Sequence, residues 1–352
     1  MSNNPLPGIP LVESPLFRDL VNELPEAVRP VATELHEKGF AVVDFPEENF
    51  DVLAAEIIAQ LEPKYDFEGW RRGKRTGSKG GLRIQDGTGL SESVLKIACN
   101  RQILDLLSLL YGRKAFPFQT LNFPVGSEQH FHTDSLHFSS LPERFMCGVW
   151  VAFEDVGPEQ GPLEYYPGSH RFPVLYNEHY GVFRKHPTDV AQAAYEPAWE
   201  KMVRCAGMEP EVFCPKKGQA LIWAANLLHG GSTHNDPGKT RWSQVTHYYF
   251  EDCAYVTPVF SQFPYGRYRF KTVTNLVDGT VVPHRYMGAV IPGGVIRALS
   301  GQGSVARTGK AALPPDFDKE SYLRLHPDVK NAGVDAAEHF LAFGFYERRR
   351  YK

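Results

Sequence analysis

Cysteine is scarce in this chain. Five residues in 352 (Cys99, Cys147, Cys205, Cys214 and Cys253) are scattered, odd in number and free of any C-x-x-C pair. That excludes a disulfide framework or a cysteine-built zinc knuckle and points to a reducing, cytoplasmic setting. Long apolar runs are also missing, and none reaches the length of a bilayer crossing. The opening stretch MSNNPLPGIPLVESPLF lacks a basic segment followed by an apolar one, so no secretory leader is expected. Neither sign of charge is in large excess: 38 basic and 41 acidic residues leave a net charge of -3. Nothing in that balance calls for nucleic acid or an acidic membrane surface, and a small molecule is the expected partner.

What is abundant is aromatic side chains, glycine and proline, with 31 Gly and 27 Pro in the chain. Many turns and many packed ring faces suit a β-rich core. Residues 1–29 read as a Pro-rich surface segment. Pro30 to Lys38 reads as a helix stopped by Gly39, Phe40 to Phe45 as a strand, and Asn49 to Leu61 and Ser91 to Tyr111 as helical regions. Between them, Trp70 to Gly89 is basic and glycine-rich and reads as a loop; Trp70 to Arg83 holds six basic residues and no acidic one. From Phe116 the pattern changes to short strands between turns: PFQTLNF, a strand carrying His132, Phe145–Glu154, Gly161–Gly168, EVFCP, Gly218–Ala225 and Arg241–Asp252. Strands so spaced predict a sandwich or barrel. The main domain is expected over 30–313. A boundary near Pro314-Pro315 then leaves 314–352 as a small helical appendage, with Tyr322, Leu323, Val329, Phe340, Leu341 and Phe343 as its buried face.

The chemistry concentrates in FPFQTLNFPVGSEQHFHTDSLHFSSLPERFMCGVW, residues 116–150. At its centre stands His132-x-Asp134. On a strand, positions i and i+2 share a face roughly 6.6 Å apart at about 3.3 Å per residue. A third ligand is expected from His229, after the apolar run ALIWAANLL. Two histidines and a carboxylate on one side of an ion form the arrangement suited to non-haem Fe(II) that activates dioxygen. His130-x-His132 is a rival pair, of the kind cupin metal sites use, but no Glu follows it closely. His130 and His137 are read as lying near the metal or in the substrate pocket, His234 as surface, and His247 as able to face either way. Arg241, on the strand after the turn THNDPGKT, is placed to hold a carboxylate by two parallel hydrogen bonds, with Ser243 on the same face. GPLEYYPGSHR reads as scaffold.

Together GPLEYYPGSHR, His132-x-Asp134, and His229-Gly-Gly-Ser followed by Arg241 resemble the phytanoyl-CoA dioxygenase-like family of Fe(II)- and 2-oxoglutarate-dependent oxygenases, over roughly residues 30–255. The resemblance implies a double-stranded β-helix, or jelly roll, with flanking helices. It implies iron held by His132, Asp134 and His229, 2-oxoglutarate chelating it, and one position left for O2. It gives Arg241 the distal carboxylate of 2-oxoglutarate, assisted by Ser243 or Ser232. The turn from His229 to Arg241 runs one residue longer than in the founding member, which leaves that hydroxyl open. Trp150 matches a tryptophan lining the cosubstrate pocket, and Gln119 and Asn122 match polar cosubstrate contacts. Because Asp134 fills the position that related halogenases leave to halide, hydroxylation or another oxidation is expected, and chlorination is not. A non-catalytic jelly-roll binder and a cupin-type isomerase stand as alternatives. The substrate is not legible.

Overall fold

The computed structural model describes residues 4–73, 82–182, 194–300, 313–331, 335–341 and 349–351. Lys74, Arg75 and Lys79 of the basic loop and residues 183–193 lie outside the described residues. The chain divides into two compact units, Met1–Ile291 and Pro292–Lys352, ahead of the compositional boundary near Pro314. In the second unit the helices Lys319–Leu325, Pro327–Asn331 and Ala336–His339 gather Tyr322, Val329, Ala336 and Phe340 into an apolar cluster of their own.

Besides a short hairpin of Arg285–Tyr286 with Ala289–Val290, the described residues of the first unit form β1 (Phe40–Asp44), β2 (Ile84–Gln85), β3 (Ala115–Phe123), β4 (Ser139–Leu141), β5 (Met146–Ala152), β6 (Leu163–Tyr165), β7 (Glu211–Phe213), β8 (Gln219–Ala224), β9 (His229–Gly231), β10 (Ser243–Phe250) and β11 (Ala254–Val256). Six of them form a sheet in the order β1-β8-β5-β10-β3-β2; β7-β6-β9 and β11-β4 form smaller ones. Every pairing is antiparallel. This is the expected double-stranded β-helix with flanking helices.

Alternation along the strands decides what each face of the large sheet meets. One side chain set, Ala41, Val149, Val151, Ala220 and Ile222, packs with the helices Phe50–Leu61, Glu92–Ala98 and Arg101–Tyr111 through Ile57, Leu61, Val94, Ile97, Ile103 and Leu107. The alternate set, Phe40, Trp150, Leu221, Trp223 and Val245, packs with Tyr165 and Phe213 of the small sheet. Polar chemistry must therefore enter from the second face, since the first is sealed by helices.

Most expected elements form with ends shifted by a residue or two. The helix Arg29–Lys38 stops at Gly39, whose φ of 84° is left-handed. The region Ser91 to Tyr111 divides in two because Asn100 starts a new helix, its side chain accepting a hydrogen bond from the Ile103 amide at 3.1 Å. Two expectations fail. Trp70–Gly89 is not all loop: Trp70 is buried in the helix Phe67–Arg71, and Ile84–Gln85 pairs with the edge of the large sheet. His132 is not in a strand. It makes one isolated bridge to His229, and Asp134 begins a 3-10 turn through Leu136.

Candidate metal centre

His132 and His229 face each other through a pair of backbone hydrogen bonds, each amide donating to the other carbonyl at 3.0 Å. Their rings lie 4.4 Å apart. Each Nδ1 sits against a main-chain oxygen at 3.0 Å: His130 O for His132, Leu227 O for His229. Those contacts place the proton on Nδ1 and leave each Nε2 as a lone pair. The Gln129 side-chain amide donates to the His132 Nε2 at 3.3 Å, in keeping with that assignment. Asp134 faces both rings, with Oδ1 4.0 Å from His132 Nε2 and Oδ2 3.9 Å from His229 Nε2. These separations are too long for direct hydrogen bonds. Ligand atoms of the three residues lie within 4.8 Å of one another.

His132 and Asp134 do come together, but not through the i, i+2 geometry of a strand. A bridge fixes His132, and a tight turn carries Asp134 round to it. The turn is closed by the Asp134 carbonyl, which accepts from the His137 and Phe138 amides at 2.9 and 2.7 Å.

Burial, with the neighbouring imidazole of His229, pushes the His132 ring down to about 3, so it is neutral at ordinary pH. Burial alone would raise the Asp134 carboxyl. The imidazoles of His229, His247 and His132 and the Trp223 N–H outweigh it and hold Asp134 below the usual carboxylate range. Two imidazole nitrogens and one carboxylate fit a divalent first-row cation.

A cavity of about 300 Å³ opens on these three residues. Arg241 lies in its wall, 1% exposed. One guanidinium nitrogen donates to the Gly161 carbonyl at 2.7 Å, while Nε is buried with no partner. Trp150 packs beside it, 5.6 Å from ring centroid to guanidinium carbon, and its indole N–H is also buried without a partner. Burial lowers Arg241 to about 10, which leaves it charged at neutral pH. Orphaned donors around a buried cation are the preparation a carboxylate requires. Arg241 precedes β10 rather than standing on it.

The remaining expectations divide. Gln119 lines the cavity. Asn122 does not: it donates to Gln244 Oε1 at 3.1 Å, because both lie on the alternate side of their strands. Ser232 donates to the Glu164 carboxylate, and Ser243 to the Arg241 carbonyl at 3.4 Å, so neither hydroxyl meets the guanidinium. The hydroxyls in the cavity wall are those of Ser127 and Tyr165. Leu163 and Tyr165 make GPLEYYPG part of the site as well as scaffold. His137 lines the cavity, but His130 turns to Glu200 at 3.0 Å, which separates the cupin pair. His234, expected on the surface, is 3% exposed, beneath the edge of Trp70.

Sequence reasoning missed Trp223. Its N–H donates to Asp134 Oδ2 at 2.9 Å and holds the carboxylate toward the two rings. The chain makes room for that indole with Gly148, directly opposite on β5, where an added Cβ would come within 2.1 Å of the Trp223 ring. The alternation Leu221, Trp223 within the strand 219–224 was the available signal.

The chain is similar in fold to EctD from S. alaskensis, solved with 2-oxoglutarate and 5-hydroxyectoine: 16% identity over 71% of this chain and 84% of that one, TM-score 0.51. It is also similar to the epimerase SnoN from nogalamycin biosynthesis, solved with Fe3+, alpha ketoglutarate and nogalamycin RO (20%, 66% and 87%, 0.46), and to the carbocyclase SnoK (15%, 68% and 89%, 0.49). A search of curated proteins finds no match. The profile of the phytanoyl-CoA dioxygenase family matches residues 36–241, more than half of the chain. The chain belongs to the phytanoyl-CoA dioxygenase family.

Proposed function

We propose that this protein is an Fe(II)- and 2-oxoglutarate-dependent dioxygenase that hydroxylates an unactivated C–H bond of a small molecule. The observation that carries the reading is one cavity holding His132, Asp134 and His229 together with a buried Arg241 whose Nε has no partner. In this reading the three residues hold the ion. A ferrous ion with 2-oxoglutarate supplies the oxidation: dioxygen gives one atom to succinate and one to the product, and carbon dioxide leaves. The protein's work is binding, orientation and exclusion of water. Arg241 takes the distal carboxylate, with the Trp150 N–H beside it. Leu121, Val245 and Leu221 keep that end of the cavity apolar, which strengthens the charge pairing there.

The cavity lining also holds Arg83, Gln85, Gln119, Gln129 and His137, and Asp134 is its one carboxylate. Iron and cosubstrate would neutralise Asp134 and Arg241 between them and leave Arg83 uncompensated. This supports a polar substrate that is neutral or anionic and disfavours an amine. Arg71 and Arg72, the described start of the basic loop, are engaged elsewhere: Arg72 pairs with Glu68 at 2.6 Å, and Arg71 donates to the Pro237 carbonyl at 3.4 Å.

The test incubates the protein with Fe(II), 2-oxoglutarate and matched acid, methyl ester and amine members of a small-molecule panel. The reading predicts iron-dependent succinate, raised by some acids or neutral members, and a product one oxygen heavier. An isomer formed without succinate would favour the cupin alternative. Succinate with no mass gain, as an epimerase would give, would remove hydroxylation while keeping the class.

A further inference from the structure

Arg241 stands outside the ladder that would ordinarily hold such a residue. β10 begins at Ser243, opposite Ala152 of β5 and Phe123 of β3, and the paired register goes no further toward Arg241. Side chains from the segment after β5 take over. The Glu154 carboxylate accepts from both neighbours of Arg241: from the Trp242 amide at 2.6 Å and from the Thr240 hydroxyl at 3.0 Å. The buried Gln160 side chain donates to the Thr240 carbonyl at 2.6 Å, and its own oxygen accepts from the Gly157 amide at 2.7 Å. The next residue, Gly161, supplies the carbonyl that meets the guanidinium. Hydrogen bonds to a carboxylate are stronger than neutral ones. Glu154 gives both oxygens to the residues that flank Arg241, and among the described residues it forms no ion pair with Arg241 itself. The backbone is clasped while the guanidinium charge stays available.

We propose that Glu154 and Gln160 are positioning residues that fix the distance from Arg241 to the metal centre, and with it the length of 2-oxo diacid the cavity accepts. The inference rests on the reading of Arg241 as the partner of the distal carboxylate. A diacid tied at one end to the ion and at the other to Arg241 must span a set gap. 2-Oxoadipate is longer than 2-oxoglutarate by one methylene and fits well only if the arginine gives way. A site that measures length must hold its residues to within about 0.5 Å. Loosening the clasp lets the arginine follow either ligand, which weakens 2-oxoglutarate binding and narrows its advantage.

The experiment measures the dissociation constants of 2-oxoglutarate and 2-oxoadipate for the full chain with Fe(II), without oxygen, by calorimetry. The parent should favour 2-oxoglutarate by about tenfold or more, the discrimination that one methylene commonly gives. Glu154→Ala, which removes two hydrogen bonds, should weaken 2-oxoglutarate about tenfold and cut the preference to about threefold, with Fe(II) affinity unchanged. Gln160→Met should act in the same direction. Glu154→Gln should restore most of both, since its amide can serve the same two neighbours. Thr240→Val removes one bond at a half-buried position and should weaken 2-oxoglutarate about threefold. It decides the matter where Glu154→Ala does not fold. Parent-like constants in the deciding variant overturn the proposal. So does a parent without the preference, or an equal loss for both acids, because neither would reflect a fixed length. Failure of the underlying reading looks different: Arg241→Leu would then bind 2-oxoglutarate as the parent does.

Discussion

Trp223 shows how much of this site depends on a single atom of space. The indole reaches Asp134 only because position 148 is glycine. Gly148→Ala should push the ring away from Asp134 and weaken metal binding about tenfold, the usual cost of losing a group that orients a ligand. Trp223→Phe should give a similar loss, since it removes the N–H and keeps most of the ring. Metal titration of both variants checks this; unchanged affinity in Trp223→Phe would leave the indole a packing role alone. Arg241 makes the second residue-scale prediction. Arg241→Leu should raise the 2-oxoglutarate dissociation constant roughly tenfold to a hundredfold, the loss of a charge-assisted contact worth about 1.5–3 kcal/mol, while iron still binds. Arg241→Lys should restore part of it, because an ammonium lacks the planar fork. Calorimetry under anaerobic conditions measures both. That His132, Asp134, His229 and Arg241 gather round one cavity was legible from residue type and order along the chain. Trp223 and His247 were not, because which way a strand residue faces depends on register with partners far along the chain. Asn122 was misplaced for the same reason.

Elements place the site through a few anchored ends. His170, in the segment after β6, hydrogen-bonds through Nε2 to the His36 carbonyl at 3.2 Å, near the end of the helix Arg29–Lys38. Burial, aided by nearby Arg171 and Arg144 and opposed by that carbonyl, lowers its pKa to about 4. The sign follows from proton counting. Between the unfolded value of about 6.5 and the folded value, the unfolded chain binds a proton that the folded chain refuses. Stability from this group is thus full above pH about 6.5 and falls as pH drops toward 4, by a total of order 3 kcal/mol. Denaturant melts at pH 7.5 and pH 5 (about one and a half units below the unfolded value) should show the loss in the parent and a smaller one in His170→Gln. An equal loss in both would assign the pH dependence to other groups. At this scale strands and helices were legible from alternation and apolar stripes. The segment around His132 was not. Its conformation is set by the bridge to His229, 97 positions on, and its own residues give no sign of that contact.

At the scale of the molecule, a large sheet sealed by helices on one face leaves the other face for chemistry. The cavity there is lined to match: Arg241, the His-Asp-His cluster, Arg83 and three glutamines all face into it. The jelly roll was legible as a class from the rhythm of short strands. The division at Ile291 and Pro292 was less so, because the irregular run from 255 onward has no change in composition there. No helix among the described residues is long and apolar enough to cross a membrane. The central claim is that His132, Asp134 and His229 hold a ferrous ion on which 2-oxoglutarate depends. Anaerobic equilibrium binding of Fe(II) and 2-oxoglutarate to the parent, His130→Ala, His132→Ala and His229→Ala tests it most directly. The account predicts a single ion per parent chain, 2-oxoglutarate bound only in its presence, both lost in His132→Ala and His229→Ala, and iron largely retained in His130→Ala. Iron kept in His229→Ala and lost in His130→Ala would contradict it.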